Sequence, residues 1–295
     1  MPVIYDCFMF FNELELLELR LHELSPVVDR FVLVEATRTH SNRPKPLVYA
    51  ENQDRFSAFA DRVEHVVVED SPDTPDAWAI EKFQRDAAMR ALAGCREDDA
   101  ILISDVDEIP RAAKVLEACR GLRPPSTVSS RLLHTALRSR WIRHPLRSLF
   151  KRRHPFLIVF EMTPYVGHLN LRSRDSCLET RLQAGTRLCL HRDLTRPREL
   201  RGLRGRVVRD GGWHFSSMGG VDRVREKLAA TPHREYDTPA YSDPERLARR
   251  LERGADIKGR DTLERVEIDS SYPRYVIENP ERWGAWIMPP SRATP

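Results

Sequence analysis

The sequence predicts an α/β chain of the doubly wound class, a mostly parallel sheet flanked by helices on both faces. Two observations carry this. Apolar strand-like runs alternate with helical patterns over the first 120 residues, which is the pattern of successive βα units. One of those runs, Ala100 to Ile103, turns abruptly into Asp105, Asp107 and Glu108 before Pro110 stops it. Carboxylates therefore gather at the carboxyl end of a strand, where open α/β sheets bind ligands.

The elements follow in order. Ile4 to Phe11 is apolar and aromatic and suits a first buried strand. Asn12 is placed to cap the helix that follows, in which Leu14, Leu17, Leu21 and Leu24 recur at three- and four-residue steps and make one apolar face. Phe31 to Val34 reads as the second strand, ending in Glu35 and a polar loop, Thr37 to Pro46, that carries Arg38, His40, Arg43 and Lys45. A helical stretch, Glu51 to Arg62, leads to a third strand, Val63 to Val68, and then to a helix over about Asp76 to Ala93 that includes Arg85 and Arg90. Either arginine is solvated or reaches across the sheet edge to a bound phosphate or base. The fourth strand is the one that ends in acids.

Beyond Gly121 the pattern loosens. Pro124 and Pro125 break the chain, Thr127 to Leu133 suits another strand, and 138–210 alternates short apolar runs with arginine and proline. That segment holds about 18 Lys or Arg against about 6 acids and is too aromatic to be disordered, so it is expected to be an ordered insertion or lid. Its charge suits an anion, whether donor phosphate, acidic glycan, lipid headgroup or nucleic acid, or else a solvated surface. Order returns at Gly211, where two glycine pairs flank an aromatic strand, Trp213 to Phe215, and the second pair opens a helix near Val221 to Ala230. A charged helix, Pro244 to Arg253, and an aromatic, proline-rich end through Trp283 and Trp286 complete the chain.

At 295 residues the chain is long enough for one large domain. No run of about 18 apolar residues and no signal-peptide pattern occurs, so a cytoplasmic location is expected. Five cysteines are scattered without a C-x-x-C pair, which suits reduced thiols.

Asp105 and Asp107, one residue apart, cannot both sit in apolar surroundings uncompensated. A divalent metal would satisfy both, and oxygen ligands suit Mg²⁺ or Mn²⁺, ions that share their coordination with substrate phosphates. A solvated acidic loop or a helix N-terminus explains the same residues. A metal so held needs further ligands from elsewhere. His214, between two aromatics, taken alone reads as a hydrogen-bonded core histidine.

Five blocks together resemble glycosyltransferase family 17, whose best known members are β-1,4-mannosyl-glycoprotein β-1,4-N-acetylglucosaminyltransferases. They are YDCFMFFNELELLELRL at Tyr5 to Leu21, FVLVEATRTH at Phe31 to His40, FQRDA at Phe83 to Ala87, ISDVDEIP at Ile103 to Pro110, and GGWHFSSMGGVDRVREK at Gly211 to Lys227. The 138–209 segment carries no such block. The resemblance implies a GT-A type (Rossmann-like) fold and inverting transfer from a UDP-sugar, UDP-GlcNAc above all, with a divalent metal held at the D-x-D element. It makes Asp105, Asp107 and Glu108 the catalytic candidates, with Asp107 and His214 as metal ligands. Glu35, Arg85, Asp105, Trp213 and Gly219 become candidates for the nucleotide. An inverting displacement also needs a base, for which Glu108, Asp175, Glu179 and Asp210 are candidates.

The expected organisation is a single domain over 1–295, with a nucleotide-sugar half at 1–120 and an acceptor-side half at 121–295. The expected partners are a nucleotide-sugar donor and a carbohydrate acceptor, with peripheral contact to an anionic membrane or glycan and no nucleic acid. For a cytosolic enzyme, a surface polysaccharide, a lipid-linked glycan or a small glycoside suits better than a protein N-glycan. Two alternatives stand beside this reading. A strand followed by D-x-D also suits a haloacid dehalogenase-like phosphohydrolase with Asp105 as nucleophile, and the arginine-rich middle suits a non-enzymatic anion-binding protein.

Overall fold

The computed structural model describes residues 2–122, 153–174, 176–183, 185–259 and 262–289. The strand expected at Thr127 to Leu133, the first part of the arginine-rich segment and Asp175 lie outside them.

Strand β1 (Ile4–Phe10), helix α1 (Leu14–Leu24), β2 (Arg30–Ala36), β3 (Val63–Val68), α2 (Ala77–Asp86) and β4 (Ala100–Asp105) form the first half. The four strands run parallel in the order β4-β1-β2-β3. Their side chains alternate between two buried layers. Phe8, Phe31, Leu33 and Leu102 pack with Leu17, Leu21 and Leu24 of α1 on one face, while Cys7, Val32, Val34, Ile101 and Ile103 pack on the other. Burial on both faces is what turns these strands into nearly continuous apolar runs. The α1 cap differs from expectation: Glu13 stands at the N-cap, and the Asn12 side chain instead donates to Glu226 at 2.7 Å. The stretch expected to be helical after β2 is 3₁₀ over Ala50–Phe59, with non-helical dihedrals at Asn52 and Phe56.

After β4 the sheet changes sense. A short strand β5 (Glu108–Pro110) precedes α3 (Ala112–Gly121), and β6 (Arg153–Val166), β7 (Leu171–Ser173) and β8 (Arg187–Leu190) follow. Helix α4 (Pro197–Leu200) leads into the long β9 (Arg204–Ser216), then come α5 (Gly220–Ala230), α6 (Pro244–Glu252) and β10 (Leu263–Arg265). Strand β8 pairs antiparallel with β4, β6 with β8, β7 with β6, and β10 with β7, whereas β6 and β9 run parallel. The sheet is thus mixed rather than mostly parallel. The described part of the arginine-rich segment is also not a lid: from residue 153 onward it supplies β6, β7, β8 and most of β9 to the sheet. Only β6 and β7 are joined by a short turn there; the other antiparallel pairs bring together strands far apart in sequence, whereas the first half spends a crossover on each parallel pair.

Candidate active site

The acidic run lies where two pieces of sheet meet. Asp105 is the last residue of β4 and Glu108 the first of β5, and β5 pairs antiparallel with β9 so that Glu108 faces His214, Ile109 faces Trp213 and Pro110 faces Gly212. Opposed residues in such a pair share a face. Glu108 and His214 therefore point into one cavity while Ile109 and Trp213 point away from it. Gly212 makes the pairing this close, because a Cβ there would sit 2.2 Å from the Ile109 carbonyl oxygen. The glycine pair thus admits neighbouring backbone, not a ligand.

The turn between the two strands is held from beneath by Arg20 of α1. Its guanidinium donates to the carbonyl oxygens of Asp105 (3.0 Å) and Glu108 (2.8 Å) and to the Ser104 hydroxyl (2.6 Å). The Phe215 amide donates to the Asp107 carbonyl at 2.9 Å. The backbone that presents the acids is therefore fixed on both sides.

The acids line a cavity of ≈ 620 Å³ together with Glu13, His40, Glu81, Arg85, Arg201, His214 and Lys227. Each carboxylate has a cation. Lys227 of α5 places its Nζ 2.7 Å from Asp107 Oδ2 and 3.1 Å from Glu13 Oε1. Arg85 of α2 joins Glu81 (2.5 Å) to Asp105 (2.8 Å). Arg201, just past α4, grips Glu108 with both terminal nitrogens at 2.5 and 2.6 Å and reaches Asp105 at 3.4 Å. His214 Nε2 lies 3.7 Å from Asp107 Oδ2.

These neighbours set the charges. Burial works to raise the Asp105 carboxyl, but Arg85 and Arg201 outweigh it and Asp105 is held down to about 2. Burial opposes ionisation of Asp107 as well, and Lys227, then His214, hold it well below the usual carboxylate range. Burial works to lower His214, yet Asp107 raises it. Asp105 and Asp107 are thus held in the charged form by the cations beside them.

A divalent cation fits the chemistry of this floor. Five carboxylates and eight Lys or Arg side chains line the cavity, so its wall carries a positive excess that suits an anionic diphosphate. Asp107 and His214 converge closely enough to share one ion. Among the described residues no group of three or more His, Cys, Asp or Glu is placed to hold a metal, so the protein offers a partial ligand set that substrate oxygens and water would complete.

The structure brings Asp105, Asp107, Glu108, Arg85 and His214 to this cavity, and takes three other candidates elsewhere. Glu35 is fully buried behind the wall, accepting from the Tyr49 amide (3.1 Å) and pairing with His65 (3.0 Å) and Lys45 (3.4 Å). Trp213 is 2% exposed and packs with Leu16, Phe215 and Trp283, under the Arg111 guanidinium at 4.2 Å, because strand alternation turns it away from His214. Gly219 caps α5 with φ +95°, a conformation that itself calls for glycine, and it does not line the cavity. Asp210 pairs with Arg111 at 2.9 Å and lies outside the cavity too. The Glu179 side chain lies outside the described residues. Sequence reasoning missed Lys227, Arg201, Glu13 and Glu81. Lys227 ends the last of the five blocks and so carried a signal, while Arg201 is one arginine among many.

Residues 2–139 match the family model described as Glycosyltransferase family 17. That stretch, just under half of the chain, is similar to family 17. This chain is also similar to the β-1,4-mannosyl-glycoprotein 4-β-N-acetylglucosaminyltransferases of Homo sapiens and Rattus norvegicus, 34% identical over 114 residues, and of Mus musculus, 33% identical over the same length. The alignment takes in 36% of this chain and 21% of each relative, so the match spans about a fifth of the length of these curated relatives. Among solved structures, a mannosyltransferase from Pyrobaculum calidifontis in complex with GDP-Man and Mn²⁺ superposes on 85% of this chain and 70% of its own, with 11% identity and a TM-score of 0.38. No described helix is long and apolar enough to cross a membrane.

Proposed function

We propose that the chain is a metal-dependent inverting glycosyltransferase of GT-A type that moves GlcNAc from UDP-GlcNAc to a hydroxyl of a glycan or glycoside, with residues 1–295 working as one domain. The observation that carries this reading is the meeting of Asp107, His214 and Lys227 on the floor of a ≈ 620 Å³ cavity. Asp107 lies within the stretch that matches family 17, and the curated relatives are named for N-acetylglucosaminyl transfer to a β-1,4-mannosyl acceptor.

In this reading Asp107 and His214 would hold a divalent ion, which would supply positive charge to the diphosphate leaving group. Lys227 supplies a second positive charge beside it. Arg85 and Arg201 hold Asp105 and Glu108 in place through short ion pairs, so these two acids shape the floor. That arrangement suits phosphohydrolysis poorly, since an Asp105 nucleophile would have to attack with both oxygens held by guanidinium groups at 2.8 and 3.4 Å.

The test is calorimetric titration of UDP and UDP-GlcNAc into wild type and Asp107→Ala, with Mn²⁺ and with EDTA. Binding that needs Mn²⁺ and is lost in the variant supports the reading. Absence of binding by wild type under every condition overturns it.

A further inference from the structure

We propose that His40 is the general base that takes the proton from the acceptor hydroxyl. The inference rests on the transferase reading above and adds the group that reading lacks.

A single displacement at the anomeric carbon needs a proton acceptor within reach of the incoming hydroxyl. Among the described residues every carboxylate that lines the cavity is held by a cation: Glu13 and Asp107 by Lys227, Glu81 by Arg85, Asp105 by Arg85 and Arg201, and Glu108 by Arg201. Carboxylates paired this way give up their negative charge reluctantly, and the low value of Asp105 shows the size of the effect. Three histidines also line the cavity. His214 is engaged with Asp107. His233 is an exposed residue that bonds Glu235 at 2.8 Å and sits edge-on to Trp78.

His40 is the third. It lies on a turn just past β2, where a bridge between Arg38 and Pro44 and a bond from the Thr39 amide to the Arg43 carbonyl (2.8 Å) fix the backbone on either side. The Ser41 hydroxyl ties the same turn to α5, the helix of Lys227, by donating to the Ala229 carbonyl at 2.7 Å. The ring is half-buried, and no hydrogen bond to it is made by the described residues. Glu81 and Arg85 from α2, Asp105 from β4 and Glu13 from the start of α1 face it. Burial, aided by Arg85, outweighs the acids and lowers its proton affinity, which leaves a neutral imidazole with a lone pair at neutral pH.

In the step proposed, the acceptor O–H proton passes to the His40 imidazole as the oxygen forms its bond to C1 of GlcNAc. The bond from C1 to the diphosphate oxygen breaks, and UDP leaves with the electron pair.

The experiment measures UDP-GlcNAc hydrolysis, in which water stands in for the acceptor, and transfer to methyl β-mannoside. Wild type, His40→Gln and His40→Ala are compared with Mn²⁺ from neutral pH down to about 5, below the ordinary imidazole value. We expect kcat to fall about 10²–10⁴-fold in both variants while calorimetric affinity for UDP-GlcNAc holds within about twofold. The acid-side fall of the wild-type kcat/KM profile should vanish in His40→Gln, and added imidazole should restore part of the His40→Ala rate. A His40→Gln rate within about twofold of wild type overturns the inference, as does a reduced rate that keeps the acid limb. Wild type that turns over UDP-GlcNAc with neither water nor the mannoside overturns the transferase reading and this inference with it.

Discussion

Arg20 grips Asp6 through two parallel hydrogen bonds, Nε to Oδ2 at 2.7 Å and a terminal nitrogen to Oδ1 at 2.6 Å, and neither side chain reaches solvent. The rest of the guanidinium is spent on the Asp105 and Glu108 carbonyls. One buried ion pair between β1 and α1 thus carries the turn that presents the acids.

Removing one member of a buried pair strands the other's charge, which costs about 3–5 kcal/mol. Arg20→Met is expected to lose that much stability in urea unfolding. Arg20→Lys should recover little of it, since an ammonium cannot reproduce the planar fork. A loss below about 1 kcal/mol would show that the pair is not a structural strut.

Asp107→Asn is expected to keep the fold while kcat falls at least about 10²-fold, the usual scale for one preorganised group at a developing charge. EDTA should silence wild type in the same assay and Mn²⁺ should restore it. Full turnover by the variant would remove Asp107 from the site.

Trp213→Ala tests packing against ligand contact. With its ring in the cluster of Leu16, Phe215 and Trp283, truncation should cost about 3–5 kcal/mol and leave UDP affinity unchanged at a temperature where the variant is folded. A selective loss of nucleotide affinity with stability intact would return Trp213 to the donor site.

Acid sensitivity should trace partly to Asp105. Its folded value is depressed from 3.8 to about 2, so it contributes stability that is present above its ordinary value and lost as pH falls through the folded one. In Asp105→Asn the slope of stability against pH should flatten between those two values. The side chain is 35% exposed, so solvent screening makes the effect modest. An unchanged acid profile would show that the two guanidinium groups do not select the ionised form.

The half of the fold built from local repeats was legible. Strands β1 to β4 and helix α1 follow from apolar periodicity, and the carboxylates at the end of β4 mark a candidate ligand site, which the structure finds lining a cavity. What escaped the reading depends on pairing across long sequence separations. Nothing near Arg187 to Leu190 announces that this strand will lie antiparallel beside β4. Trp213 and His214 are adjacent in sequence, and only the pairing of β9 with β5 decides which of them faces the cavity. Glu35 looked like Asp105, an acid at a strand end, but lies buried between His65 and Lys45. Arg201 had no distinguishing neighbourhood at all.

The grip of Arg201 on Glu108 spans 93 positions of sequence, and that of Lys227 on Asp107 spans 120. The later part of the chain therefore cannot be swapped for that of another protein as an independent cassette. A chimera joined after α3 would strand Asp107 and Glu108 without the groups that hold them, unless the incoming piece brought an arginine, a histidine and a lysine to the same three points.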